Sequence, residues 1–158
     1  MRASSRSNSG KEVVRVQTAL MVLILAAGFA GTGWPGTLVW PSRILGLALV
    51  VLGIVVVLAG WRELGPAATP LPKPREDGAL VESGLYRYVR HPIYGAGILA
   101  GVGYSLATTS WPSLVLTAVL AGLWELKARR EEAWLVERYA GYEAYRRRTR
   151  RKFLPYVY

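Results

Sequence analysis

The chain has 158 residues, 52% hydrophobic and 19% charged, with a mean hydropathy of +0.24. It is too apolar for a disordered chain and too poor in charge for an ordinary soluble domain. Twenty Lys and Arg against ten Asp and Glu leave a net charge of +10, with no cysteine and one histidine, which excludes a disulfide framework, a Cys-ligated zinc, a thiol nucleophile and a multi-histidine metal site.

Such a charge would suit a nucleic-acid binder, but the long uncharged runs do not. The reading is a single-domain, all-α integral membrane protein: four transmembrane helices and a cytoplasmic C-terminal amphipathic helix. Residues 1–15 form a basic, low-complexity tail expected to be disordered. No Asp, Glu, Lys or Arg falls between Arg15 and Arg43 or between Arg43 and Arg62, and a span needs about 20 apolar residues. The first run predicts a helix over residues 16–33, stopped by Trp34-Pro35-Gly36. The second predicts a helix over residues 44–60, closing on Trp61-Arg62. A basic start, an apolar stretch and Ala26-Ala27-Gly28-Phe29-Ala30 also fit a signal peptide. Residues 65–78 carry Pro66, Pro70, Pro72 and Pro74 and read as a stiff, extended linker.

The third run, from Arg90 to Glu125, has only His91 as a titratable group. It is too long for one span and breaks at Ser110-Trp111-Pro112, giving a hairpin of helices over residues 93–109 and 112–126; Pro112 is acceptable in a first helical turn. From residue 131 to 148 a helical period returns, with Leu135, Tyr139 and Tyr142 on one face, widened by Trp134 and Tyr145. This predicts a basic amphipathic helix on the membrane surface. All Lys and Arg except Arg43 lie in the N-terminal tail, the central loop or the C-terminal segment, which predicts both termini and the central loop on the cytoplasmic side.

Polar chemistry is concentrated in two places on that side. One is Leu80-Val81-Glu82-Ser83-Gly84-Leu85-Tyr86-Arg87-Tyr88-Val89-Arg90-His91-Pro92-Ile93-Tyr94-Gly95-Ala96-Gly97. Its basic and aromatic residues also suit plain interfacial anchoring, and Gly95, Gly97, Gly101 and Gly103 also suit helix packing. The other is Lys127-Ala128-Arg129-Arg130-Glu131-Glu132, which also reads as a solvated helix face.

Together these stretches carry a resemblance. Leu-Val-x-x-Gly-x-Tyr-Arg-x-x-Arg-His-Pro-x-Tyr-x-Gly, a helical hairpin, Glu-Glu, an aromatic stretch and a terminal Leu-Pro resemble the isoprenylcysteine carboxyl methyltransferase family and the related phospholipid methyltransferases. The resemblance covers residues 70–155. It implies an integral membrane enzyme using S-adenosylmethionine. It implies cofactor contacts from Gly78, Ala79, Leu80, Val81, Tyr86, His91, Pro92, Ile93 and Tyr94, from Gly95-Ala96-Gly97, and from Glu131-Glu132. It also implies a substrate contact from Lys127 or Arg129. The family's Phe-Gly-x-x-Tyr-x-x-Tyr is one residue short here, in Tyr139-Ala140-Gly141-Tyr142-Glu143-Ala144-Tyr145, so the register between Glu131 and Glu132 stays open.

The chemistry suits that cofactor. A glutamate matches an ammonium, and Arg90 or a helix-start amide matches a carboxylate. Tyrosine faces match a sulfonium, and Gly95 and Gly97 permit close backbone approach. The expected activity is methyl transfer to a lipophilic acceptor (carboxylate, amine or other heteroatom) entering from the bilayer, with Lys127, Arg129 and Glu132 as the acting side chains. Two other readings are a nicotinamide-dependent membrane reductase of similar architecture and a non-enzymatic anchor whose basic helix binds lipid. The latter leaves the Tyr-Arg…Arg-His-Pro-x-Tyr cluster without a purpose.

Overall fold

The computed structural model describes residues 2–30, 34–69 and 79–155, with side chains from residue 10 onward. The described residues are helical, with no strand. The helices are α1 (Arg2–Phe29), α2 (Gly36–Leu64), α3 (Pro92–Ala107), α4 (Trp111–Arg138) and α5 (Tyr142–Arg148), with single 3-10 turns at Gly65–Ala67 and Gly84–Arg87.

Local chemistry explains most boundaries. Pro92 opens α3, and Ser110 caps α4 by accepting from the Ser113 N–H at 3.3 Å, as Pro and Ser do at helix starts. Other boundaries differ from expectation. α1 runs back through the basic tail to Arg2, and α2 starts early enough to include Pro41 and Arg43. The Arg43 guanidinium lies over Trp40, 5.6 Å from the ring centroid. The helix expected over residues 131–148 is two elements. Its first half continues α4 to Arg138, and Tyr139-Ala140-Gly141 then separates it from α5. Lys, Ala, Arg, Glu and Leu are all good helix formers, so nothing in residues 127–138 stops α4. The expected proline linker falls mostly at residues 70–78, outside the described residues.

The bundle is built on α3 and α4, with α2 packed antiparallel on α3 and α1 antiparallel on α4. α2 meets α3 through small residues: Gly46, Gly53 and Gly60 are buried. A Cβ at Gly53 would lie 2.7 Å from the Ala96 carbonyl oxygen and 2.8 Å from the Ala100 Cβ, and one at Gly103 would lie 2.7 Å from the Gly46 carbonyl oxygen. The two backbones are therefore nearly in contact, as small-residue faces allow between membrane helices. On another side of α3, Gly97 lies under the Trp124 ring and Gly101 against Thr117. α1 lies along α4 with Ile24, Leu120 and Trp124 at its core. Small hydroxyls stitch this seam. Ser110 donates to the Ala27 carbonyl at 2.8 Å and Ser113 to that of Ile24 at 3.2 Å.

Two stretches, Gly10–Phe29 and Gly36–Ala67, are long and apolar enough to cross a membrane. Their large side chains, among them Val22, Leu25, Leu47, Val51 and Leu58, point outward, unlike those of a soluble core helix. α3 is a shorter apolar helix, and α4 is apolar only in its first half. Trp34 stacks on Trp111 at 4.9 Å, joining the α1–α2 and α3–α4 turns at one end of the bundle.

A Gly53→Val substitution is expected to cost about 1–3 kcal/mol by overpacking, because the obstruction is neighbouring backbone. Gly122→Ala, which meets nothing within 4 Å, is expected to be neutral or stabilising. Thermal unfolding in detergent compares the two.

Candidate active site

At the bundle end opposite Trp34 and Trp111, the chain entering α3 meets the second half of α4. Arg90 and His91 close onto Glu132. Arg90 Nε donates to Glu132 Oε1 at 2.9 Å, and His91 Nε2 lies 3.1 Å from the same oxygen. Arg90 Nη1 donates to the carbonyls of Thr149 and Arg150, both at 2.8 Å. The backbone N–H groups of Arg90 and His91 donate to the carbonyls of Arg151 and Lys152 at 3.0 and 2.8 Å. Burial raises the Glu132 pKa, but hydrogen bonds and charge from His91 and Arg90 outweigh it and hold the carboxyl near 2.

Glu131, one residue earlier, points elsewhere. Adjacent helix residues are about 100° apart, so Glu131 faces a cavity and accepts from the Tyr94 hydroxyl at 2.8 Å. The Tyr94 ring is stacked between His91 at 5.4 Å and Trp124 at 5.6 Å. Lys127 Nζ lies 5.2 Å from its centroid.

The cavity encloses roughly 890 Å³, including its open mouth. Its walls combine Tyr86, Tyr94, Tyr139 and Tyr142 with Trp61, Leu64 and Leu135, and Glu131 supplies a carboxylate. Arg90 and His91 border it. Tyr86 and Tyr145 are tied together: the Tyr145 hydroxyl donates to the Tyr86 carbonyl at 2.7 Å. Burial raises the pKa of both, and of Tyr142, so these phenols stay protonated.

Of the residues singled out from sequence, Ala79, Leu80, Val81, Tyr86, Arg90, His91, Ile93, Tyr94 and Glu131 line the cavity. Gly78 lies outside the described residues. Pro92 is buried at the start of α3, off the cavity wall. Gly95 and Gly97 do permit close approach, but to the Phe153 backbone and the Trp124 ring. Glu132 sits behind the wall, locked to Arg90 and His91. Lys127 is 3% exposed and donates to Gln17 Oε1 of α1 at 2.9 Å, away from the cavity. Arg129 is on the outer face, bonded to Glu125 at 2.7 Å.

Sequence reasoning passed over Trp61, Leu64, Ala67 and Thr69, which come from the end of α2 and the chain just after it. It placed Leu135, Tyr139, Tyr142 and Tyr145 on a membrane-surface face, whereas they turn into the cavity. A further signal was Gly84. Its φ of 58° is left-handed, and the Glu63 carboxylate occupies the place of a Cβ, accepting from the Leu85 N–H at 2.8 Å. That contact fastens the loop holding Tyr86 to α2.

Residues 41–141 match the family model described as phospholipid methyltransferase. The chain is also 32% identical, over 143 residues, to the cobalt-zinc-cadmium resistance protein CzcN of Cupriavidus metallidurans. That match covers 86% of this chain and 61% of the relative, so the chain spans about three fifths of the relative's length.

Glu132→Ala is expected to destabilise the protein by about 3–5 kcal/mol, since it leaves Arg90 buried without its anion. Because the folded carboxyl titrates near 2, its stabilisation is complete above its ordinary pKa of about 4.5 and fades as pH falls toward 2. Unfolding temperatures from pH 6 to pH 2 should show that acid loss in wild type and a flatter profile in Glu132→Gln.

Proposed function

The chain belongs to the phospholipid methyltransferase family, and from that premise we propose a membrane methyltransferase that uses S-adenosylmethionine and acts on a lipophilic acceptor. The observation that carries the reading is the cavity in which Glu131 and a group of tyrosines meet an apolar wall.

The donor set fits the cofactor. Glu131 is the cavity carboxylate for an ammonium, and the tyrosine faces suit a sulfonium, a match worth about 0.5–2 kcal/mol. Arg90 has its Nε and Nη1 protons committed to Glu132 and two carbonyls, which fixes the wall and leaves its Nη2 group as the part that could meet a ligand. S-adenosylmethionine, when bound, supplies a methyl group already activated on sulfur. The residues of this chain therefore have little acid–base work. Tyr94 and Glu131 orient the polar end, while Trp61, Leu64 and Leu135 hold an apolar acceptor and exclude water. Alignment of this kind supplies several kcal/mol. A carboxylate acceptor requires no base; an amine acceptor releases a proton, for which Glu131 is the carboxylate at hand.

All four long helices embed in the bilayer in this reading, with α3 and the apolar half of α4 tilted or in locally thinned lipid. The charge asymmetry of the loops supports a cytoplasmic side for both termini and the cavity mouth in this reading. Among the described residues no group of three or more His, Asp or Glu is arranged to hold a metal ion.

The test is transfer of a labelled methyl group from S-adenosylmethionine into a lipid extract, with the product identified by mass. Calorimetry on the purified protein should show S-adenosylmethionine binding, weakened at least tenfold by Glu131→Gln and nearly unchanged by Arg129→Ala. NADPH should give no binding. Absence of S-adenosylmethionine binding by the wild type, or binding of NADPH in its place, would overturn the assignment.

A further inference from the structure

Tyr142 opens α5 and is 1% exposed. It lines the cavity, and its hydroxyl has no hydrogen-bond partner among the described residues. Its neighbour Tyr145 makes the contrast. The two rings meet edge to face at 5.7 Å, yet the Tyr145 hydroxyl is satisfied by the Tyr86 carbonyl. Buried hydroxyls are nearly always paired, and an unpaired one on a cavity wall is a donor held ready for a ligand.

The surroundings indicate what kind of group it meets. Tyr142 lies in the field of the Arg90 cation as well as those of Glu132 and Glu131. Glu132 is itself bonded to Arg90, so its charge is largely neutralised, while Glu131 faces the cavity. Burial keeps the phenol protonated, so it donates at any working pH. Tyr142 and Arg90 line the same cavity, a neutral O–H there is a donor suited to an anion, and Arg90 Nε and Nη1 are already committed elsewhere.

Resting on the reading above, we propose that the Tyr142 hydroxyl donates a hydrogen bond to the amino-acid carboxylate of the bound methyl donor. Glu131 then holds the ammonium borne by the same carbon. One amino-acid headgroup spans an acidic contact from α4 and a phenolic contact from α5. Neither the paired carboxylates nor the basic residues of the sequence indicate this role.

The experiment is calorimetry on the full chain in detergent, wild type against Tyr142→Phe, with S-adenosylmethionine and with its decarboxylated analogue. A hydrogen bond to a charged group is worth about tenfold or more in affinity. Tyr142→Phe should therefore weaken S-adenosylmethionine by about that factor and leave the decarboxylated analogue unchanged. Without ligand, Tyr142→Phe should unfold no earlier than wild type, since it gives up no internal hydrogen bond. Tyr145→Phe, which loses one, should unfold earlier. Equal weakening of both ligands, no weakening of either, or earlier unfolding of unliganded Tyr142→Phe would overturn the proposal while leaving the methyltransferase reading in place. A wild type that binds neither adenosyl compound would remove both readings.

Discussion

The functional end of this bundle depends on one buried oxygen. Glu132 Oε1 receives Arg90 and His91 together, and the same guanidinium reaches the carbonyls of Thr149 and Arg150. Separating charges in such a place costs several kcal/mol, so the arrangement tolerates little displacement. Three stretches far apart in sequence are thereby fixed to one another: the entry to α3, the second half of α4 and the segment after α5. The preceding glutamate, a third of a turn away, is left free to serve the cavity. The pair reads in sequence as a doublet of like residues; in the fold one member is structural and the other faces the cavity.

A second chain of contacts brings in the first helix. Gln17 accepts from both the Trp124 indole and the Lys127 ammonium at 2.9 Å. Trp124 stacks on Tyr94, and Lys127 lies over the same ring. Tyr94 in turn donates to Glu131. A residue of α1 that never reaches the cavity is thus three contacts from its carboxylate. This gives Lys127 a physical account other than meeting a substrate: its charge is held by Gln17 and by an aromatic face, which is how a cation is kept inside a bundle.

What the sequence made legible was what local chemistry controls. Charge-free runs marked α1, α2 and α3, and Ser110-Trp111-Pro112 marked the turn into α4, because caps and prolines act within a few residues. The Arg-His-Pro-x-Tyr stretch and Glu131-Glu132 were legible as belonging together through resemblance, and they do converge. The end of α4 was misjudged because a change from apolar to charged residues records a change of solvent, not a break in backbone hydrogen bonding. Leu135, Tyr139 and Tyr142 do turn to one side, but across the break between α4 and α5, and what they meet could not be read, since periodicity does not distinguish a lipid surface from a cavity wall. Gly95 and Gly97 were legible as points of close approach, but only the fold reveals that Phe153 and Trp124 are what approaches. Trp61 was hidden for a similar reason: an aromatic at the end of an apolar helix already has an ordinary explanation as an anchor.

The small-residue seam between α2 and α3 fixes the width of the cavity. Trp61 and Leu64 stand on one of these helices and Tyr94 on the other, and where Gly46, Gly53 and Gly103 meet, no side chain is available to swell or shrink between them. The helix spacing is therefore a constant, not a variable. What the cavity admits is thus set by the volume of the wall side chains themselves, mounted on a rigid frame.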